Sequence, residues 1–208
     1  MMTGNVKKLI TGFLIIFFAC GCGPRYKYDR LVKKELATGI RHDTIFLGIY
    51  LGMTQKDFYS HCWKLNKQGI IQDGNGNTSV LYKMTELNEP VDMNFYPSFY
   101  NGKIWKMPVK FNYAAWAQWN RKLFADSLQQ KILARFKEWY GNDFIEVKSK
   151  SRGSAYYKID GNRKISLYKL DDQYVMAVFT DLLIEPEIQK IKKEKTDSIP
   201  ANQEGASH

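Results

Sequence analysis

The chain has 208 residues, of which 44% are apolar and 14% aromatic, and it carries a formal charge of +10. That composition supports a real core in one domain or two small ones. Three cysteines, two of them at Cys20 and Cys22, leave only Cys62 in the body and exclude a disulfide framework; three histidines, His42, His61 and His208, are too few for a His-rich metal site.

At the start, Lys7 and Lys8 precede an apolar run from Leu9 to Ala19, which ends in Cys20-Gly21-Cys22-Gly23-Pro24. A basic stretch, a short apolar stretch and a small-residue end are the three parts of a secretory signal. About 15 residues separate Lys8 from Pro24, against the roughly 20 that a spanning helix needs. The run therefore reads as a cleaved signal over residues 1–19. Its end resembles the lipobox of bacterial lipoproteins, whose last residue is a cysteine that receives lipid. Phe17-Phe18-Ala19-Cys20 is the favoured frame, and Ala19-Cys20-Gly21-Cys22 is the alternative. Cysteines two apart in one extended segment are poorly placed to bridge each other. The resemblance implies a diacylglyceryl anchor and a place in the bacterial cell envelope. Gly rather than Asp after either cysteine leans toward the outer membrane.

The signal holds two of the positive charges, Lys7 and Lys8, which leaves about +8 on the mature chain, a balance that suits anionic lipid or acidic partners. Export argues against nucleic acid as the partner. Residues 20–42 read as a basic tether with a short helix over Tyr28–Ala37.

The domain starts at Asp43. Thr44 to Tyr50 is rich in β-branched and aromatic residues and reads as a strand. Thr54, with Asp57 three residues on, opens a helix that runs to about Lys67, with Phe58, Cys62 and Leu65 on one face. Asp73-Gly74-Asn75-Gly76-Asn77 is a loop; a calcium loop starting at Asp73 requires a glutamate where Met84 stands. Strands follow at Ser79–Met84, Val91–Tyr96 and Lys103–Tyr113, with Asn101-Gly102 as a hairpin turn between the last two. Pro108 suggests an edge position or a bulge. Between Ala114 and Tyr140 the apolar spacing is helical but changes phase near Ala125, so a firm helix is expected from Asp126 or Ser127 to Tyr140, stopped by Gly141. Strands are expected again at Phe144–Lys148, Ala155–Ile159, Lys164–Lys169 and Gln173–Thr180, with a hairpin at Asp160-Gly161-Asn162. Residues 185–208 read as a charged, disordered tail, with an exposed helix over Pro186–Lys195 inside it.

This order predicts an α+β fold built from two helix-plus-antiparallel-sheet halves, residues 43–113 and 114–184, in a tandem arrangement. Gly52-Met53-Thr54 at a helix start, followed by Phe95-Tyr96-x-x-Phe99-x-x-Gly102-Lys103-Ile104, resembles small envelope lipoproteins of the SmpA/BamE type and the β-lactamase-inhibitor-protein fold. The resemblance spans about 60 residues. It departs at Leu65-Asn66-Lys67-Gln68-Gly69, where a Gly-x-Pro is expected. It implies a fold and, more distantly, a role in outer-membrane assembly.

No nucleophile elbow, phosphate-binding loop, His-Glu-x-x-His or Cys-x-x-Cys occurs in the body, so no cofactor or metal is expected. His61 and Cys62 are helix neighbours about 100° apart, which leaves the histidine out of place to activate the thiol. Asp171-Asp172 reads as turn chemistry. The aromatics Tyr96, Phe99, Tyr100, Trp105, Trp116 and Trp119 gather in sequence around one hairpin and its exit, and are the candidate binding residues where they are exposed. The expected function is that of a lipid-anchored envelope protein whose domain binds a protein or envelope polymer without catalysis, ahead of a carboxylate-dependent hydrolase.

Overall fold

The computed structural model describes residues 24–74, 79–149 and 153–197. The expected signal over residues 1–19 and the candidate lipidation residues Cys20 and Cys22 lie outside them. The first element is helix α1, Pro24–Ala37. An irregular stretch leads to α2, Gln55–Lys67. Five strands follow: β1 Ile71–Asp73, β2 Val80–Met84, β3 Val91–Phe95, β4 Ser98–Tyr100 and β5 Lys103–Tyr113. Helix α3, Ala125–Tyr140, comes next. Four more strands, β6 Ile145–Ser149, β7 Gly153–Asp160, β8 Arg163–Lys169 and β9 Val175–Asp181, precede α4, Glu185–Asp197.

All strand pairings are antiparallel, in the order β1-β2-β3-β5-β9-β8-β7-β6, with β4 beside β5. The architecture is α+β, as the element order predicts. Each run of strands is a meander that works inward, and the last strands of the two runs, β5 and β9, meet at the centre with Met107 opposite Phe179 and Val109 opposite Ala177.

Strand alternation gives the sheet two faces. On the inner face stand Met93, Val109, Phe111, Ala177, Phe179, Ile165 and Leu167, each at most 1% exposed. Helix α3 lies over them because Leu128, Ile132 and Phe136 repeat at helical spacing on its buried side. Phe136 meets Phe179 and Phe111 at centroid distances of 5.7 and 6.2 Å. The one polar residue on that side of α3, Gln129, is 3% exposed and donates from its amide to the Ser154 carbonyl at 2.9 Å. Helix α2 sits at the periphery, against β1 and the β3–β5 hairpin. Its Thr54 cap accepts from the Asp57 amide at 3.1 Å, as its sequence signature predicts.

Two features differ from the sequence expectations. Thr44–Tyr50 is not a strand: the chain reverses at Leu47 (φ +49°) and Gly48 (φ +77°), and only Thr44 and Tyr50 form a bridge. The reversal buries Ile45, Phe46, Ile49 and Leu51 in the core, so apolar burial rather than β pairing sets the composition of this stretch. Of the two settings expected for Pro108, the edge is excluded because β5 is a central strand, and a bulge lies close by on the same strand. Pairing of β5 with β3 ends at Val109–Phe95 and pairing with β4 begins at Lys106–Ser98. The residue without an N–H falls in that break. A register shift follows one step later, with Trp105 as the extra residue, which is why Ile104 and Trp105 are both buried although adjacent. The helix expected over Pro186–Lys195 forms as α4, which extends to Asp197; residues 198–208 of the expected tail lie outside the described residues. The start of this helix is held by Lys164, which donates to Glu185 at 2.7 Å, and by the Tyr100 hydroxyl, which donates to Glu187.

Helix α1 is also more than a tether. Tyr28, Leu31, Val32, Glu35 and Leu36 form one half-buried stripe. Tyr28 packs edge-on to Tyr157 of β7 at 5.7 Å. Beyond the helix, the His42 amide donates to Asn162 Oδ1 at 2.7 Å, Asn162 Nδ2 donates to Asp43 at 2.9 Å, and Arg41 pairs with Asp43 and Asp181. The β7–β8 turn accepts this segment closely. Gly161 has φ +55°, and a Cβ there would collide with the Ile40 carbonyl oxygen.

Candidate functional site

The outer face of the sheet is turned away from α3 by strand alternation. It carries Lys106, Pro108, Lys110 and Asn112 from β5, Met176, Val178 and Thr180 from β9, Lys164, Ser166 and Tyr168 from β8, and Tyr157 and Ile159 from β7. One end is closed by α1 and the start of α4, which leave Ile159 7% and Thr180 2% exposed. The other end is open, and Asn94, Pro108, Lys110, Met176 and Tyr168 are half-buried there.

A groove of about 330 Å³ runs along the open end, lined by Ser79, Asn94, Tyr96, Pro108, Lys110 and Met176. Lys110 Nζ stands 4.5 Å from the centre of the Tyr174 ring. This places a cation against an aromatic face with its ammonium still available to a ligand. The groove combines an apolar floor, an amide, a phenol and an ammonium. Such a surface offers apolar contact and hydrogen-bonding groups.

The six candidate aromatics do not form one patch. Tyr96 alone lines the groove. Its hydroxyl shares a 2.6 Å hydrogen bond with Tyr59 of α2, which lowers the Tyr59 phenol and raises that of Tyr96 from their ordinary values. Phe99 packs on Phe58 at 6.0 Å and belongs to the contact between α2 and the hairpin. The Tyr100 hydroxyl is committed to Glu187. Trp105 is 9% exposed and therefore a core residue. Trp116 stacks obliquely on Phe124 at 6.2 Å, beside Asp171 and Asp172, and Trp119 is 89% exposed. The two ends of β5, Lys103 and Tyr113, separate the hairpin aromatics from the two tryptophans by about 30 Å of strand, at roughly 3.3 Å per residue. Closeness in sequence did not become closeness in space.

Lys110, Pro108, Met176 and Asn94 escaped notice as site residues. The alternation of Lys103–Tyr113 marks Pro108 and Lys110 as facing away from Val109 and Phe111, which is the one signal in the sequence. Their neighbours Met176 and Val178 arrive through β5–β9 pairing, which no local pattern encodes.

A second cavity, of about 320 Å³, opens on the α3 side between the Ile45–Leu47 reversal, Tyr82 and Glu86, and Trp139 and Tyr140. It is mainly apolar. The Tyr140 hydroxyl donates to the Ile45 carbonyl, and burial holds its pKa well above the ordinary phenol range. His61 Nε2 contacts the Leu47 carbonyl at 2.6 Å and braces the same reversal. Cys62 packs against the core, and burial pushes its thiol up to about 11, which disfavours the nucleophilic thiolate at neutral pH. Asp171 Oδ1 accepts from the amides of Gln173 and Tyr174 at 2.8 and 2.7 Å, which is turn chemistry. Among the described residues, no group of three His, Cys, Asp or Glu side chains is placed to hold a metal ion, and no helix is long and apolar enough to cross a membrane.

Comparison with protein-family models, curated proteins and solved structures finds no match.

Proposed function

We propose that the protein is a lipid-anchored component of a bacterial cell envelope, held through Cys20 or Cys22, whose domain binds a protein or envelope polymer on the outer face of its sheet without catalysing a reaction. The observation that supports this reading best is the groove at Tyr96, Pro108, Lys110 and Met176, on a sheet face that α1 and α4 close at one end only. A surface of mixed apolar and cationic character suits a partner with apolar side chains or rings and acidic groups. The lipobox, followed by Gly in both frames, supports the outer membrane as its location.

Replacing Lys110 and Met176 together with Glu tests the binding face. The two positions are cross-strand partners, so the paired glutamates repel, and circular dichroism with a denaturant melt checks that the variant is folded; crosslinked partners recovered from intact membranes are expected to be lost. Retention of the same partners by the folded variant refutes the face. The mass of the mature N-terminus tests the anchor: a diacylglyceryl adduct on Cys20 or Cys22 is expected, and a mature chain without lipid refutes it.

A further inference from the structure

The outward face of α1 is a strongly basic surface that the function above does not use. Its inward stripe, Tyr28, Leu31, Val32, Glu35 and Leu36, is engaged with the sheet. At 100° per residue the opposite side carries Lys27, Arg30, Lys33 and Lys34, all exposed, against a single acid, Asp29, at its margin. None of these four cations makes an ion pair among the described residues. Tyr26, 56% exposed, stands in the first turn on the same side. Basic side chains with a tyrosine at one end are the residues that favour a lipid headgroup layer.

The position of the helix in the chain adds a second, independent constraint. Pro24 begins α1 four residues after Cys20 and two after Cys22. Four residues span at most about 14 Å when fully extended. A lipid on either cysteine therefore keeps the first turn of α1 within that distance of the headgroups. The helix cannot swing away on its own, because it is tied to the domain by Tyr157, by Gly161, whose amide donates to Glu35, and by the Arg41–Asp43 segment.

We propose that the outward face of α1 rests on anionic lipid headgroups, as a second membrane contact that orients the domain. This inference depends on the anchor reading for the short tether. Because α1 lies on the outer face of the sheet, the groove at Lys110 then faces the same membrane, and its partner reaches it along the bilayer surface.

The test uses the mature protein reconstituted into vesicles of phosphatidylethanolamine alone or mixed with phosphatidylglycerol, treated with a membrane-impermeant amine reagent and read by peptide mass spectrometry. Lys148, 79% exposed in its side chain and on the opposite side of the sheet from Tyr157, is the internal control. Lys27, Lys33 and Lys34 are expected to label at least about fivefold more slowly on the anionic vesicles, with the difference abolished by high salt. Equal labelling on both vesicles, or protection that ignores lipid charge and salt, overturns the proposal. The same spectra report the N-terminal adduct separately. Lipid on Cys20 or Cys22 with unprotected helix lysines rejects this inference alone; protected lysines on a chain without lipid reject the anchor alone and leave the headgroup contact standing.

Discussion

The outer face of the sheet has two ends built from the same strands, and they behave differently. At the end under α1 and α4, Ile159 and Thr180 are buried, Lys164 is paired with Glu185, and Tyr157 is met edge-on by Tyr28. At the other end Lys110, Met176 and Tyr168 occupy equivalent outward positions and remain half-buried, and Lys110 and Met176 line a groove with Tyr96. The strands do not distinguish the two ends; the flanking helices do. Outward-facing residues of one sheet thus serve stability where a helix covers them and remain available to a partner where none does.

The strongest way to break this contrast is Gly161→Ala. The new Cβ collides with the Ile40 carbonyl at a positive φ, so the segment that carries α1 must move. We expect a loss of about 3 kcal/mol, read by denaturant unfolding, with early proteolysis after Lys33 or Lys34. Paired truncations sharpen it next. Ile159→Ala at the covered end is expected to cost about 2–3 kcal/mol, while Val178→Ala, half-buried on the same face, costs less than about 1 kcal/mol. Similar costs would mean that the helices do not cover the face as described.

Tyr28→Ala removes the edge-on contact with Tyr157 and is expected to cost about 1 kcal/mol. It also changes a titration. Burial, and then the neighbouring Tyr28, raise the Tyr157 phenol above its ordinary value. A raised phenol contributes stability that is complete below the unfolded value of about 10 and is lost as pH rises through the folded value. The variant is expected to bring the Tyr157 titration back toward about 10 by ultraviolet absorbance, and no change would mean that α1 does not desolvate it. The smallest effect belongs to Trp119→Ala. With its side chain almost wholly in solvent, the stability change is expected within about 0.5 kcal/mol.

Much of the fold was legible in the sequence wherever a residue had a local job. Asn101-Gly102 takes positive φ at both positions, and Gly161 takes it at the first position of its turn, as two-residue hairpins require. Thr54 caps α2, and Gly141 ends α3 with its amide on the Lys137 carbonyl. The α+β class followed from the order of these elements. Legibility ended where the cause is tertiary. Thr44–Tyr50 has strand composition because its apolar residues fill the core, and the Leu47–Gly48 reversal leaves little local trace. The strands β1 and β4 are three residues each, too short for alternation to declare them. The candidate site was legible only in part. Tyr96 was found as an aromatic, but Lys110, Met176 and Asn94 come from three strands. The core position of Trp105 follows from a register shift that composition does not announce.

The central claim is that the open end of the outer face is the binding surface, and site-specific photocrosslinking on intact membranes tests it most directly. A photoreactive residue at Lys110 or Tyr168 is compared with one at Ala134, exposed on the far side of α3. The account predicts discrete adducts of the same partner from positions 110 and 168 and none from position 134. Adducts from position 134 alone, or an equal smear from all three, would contradict it.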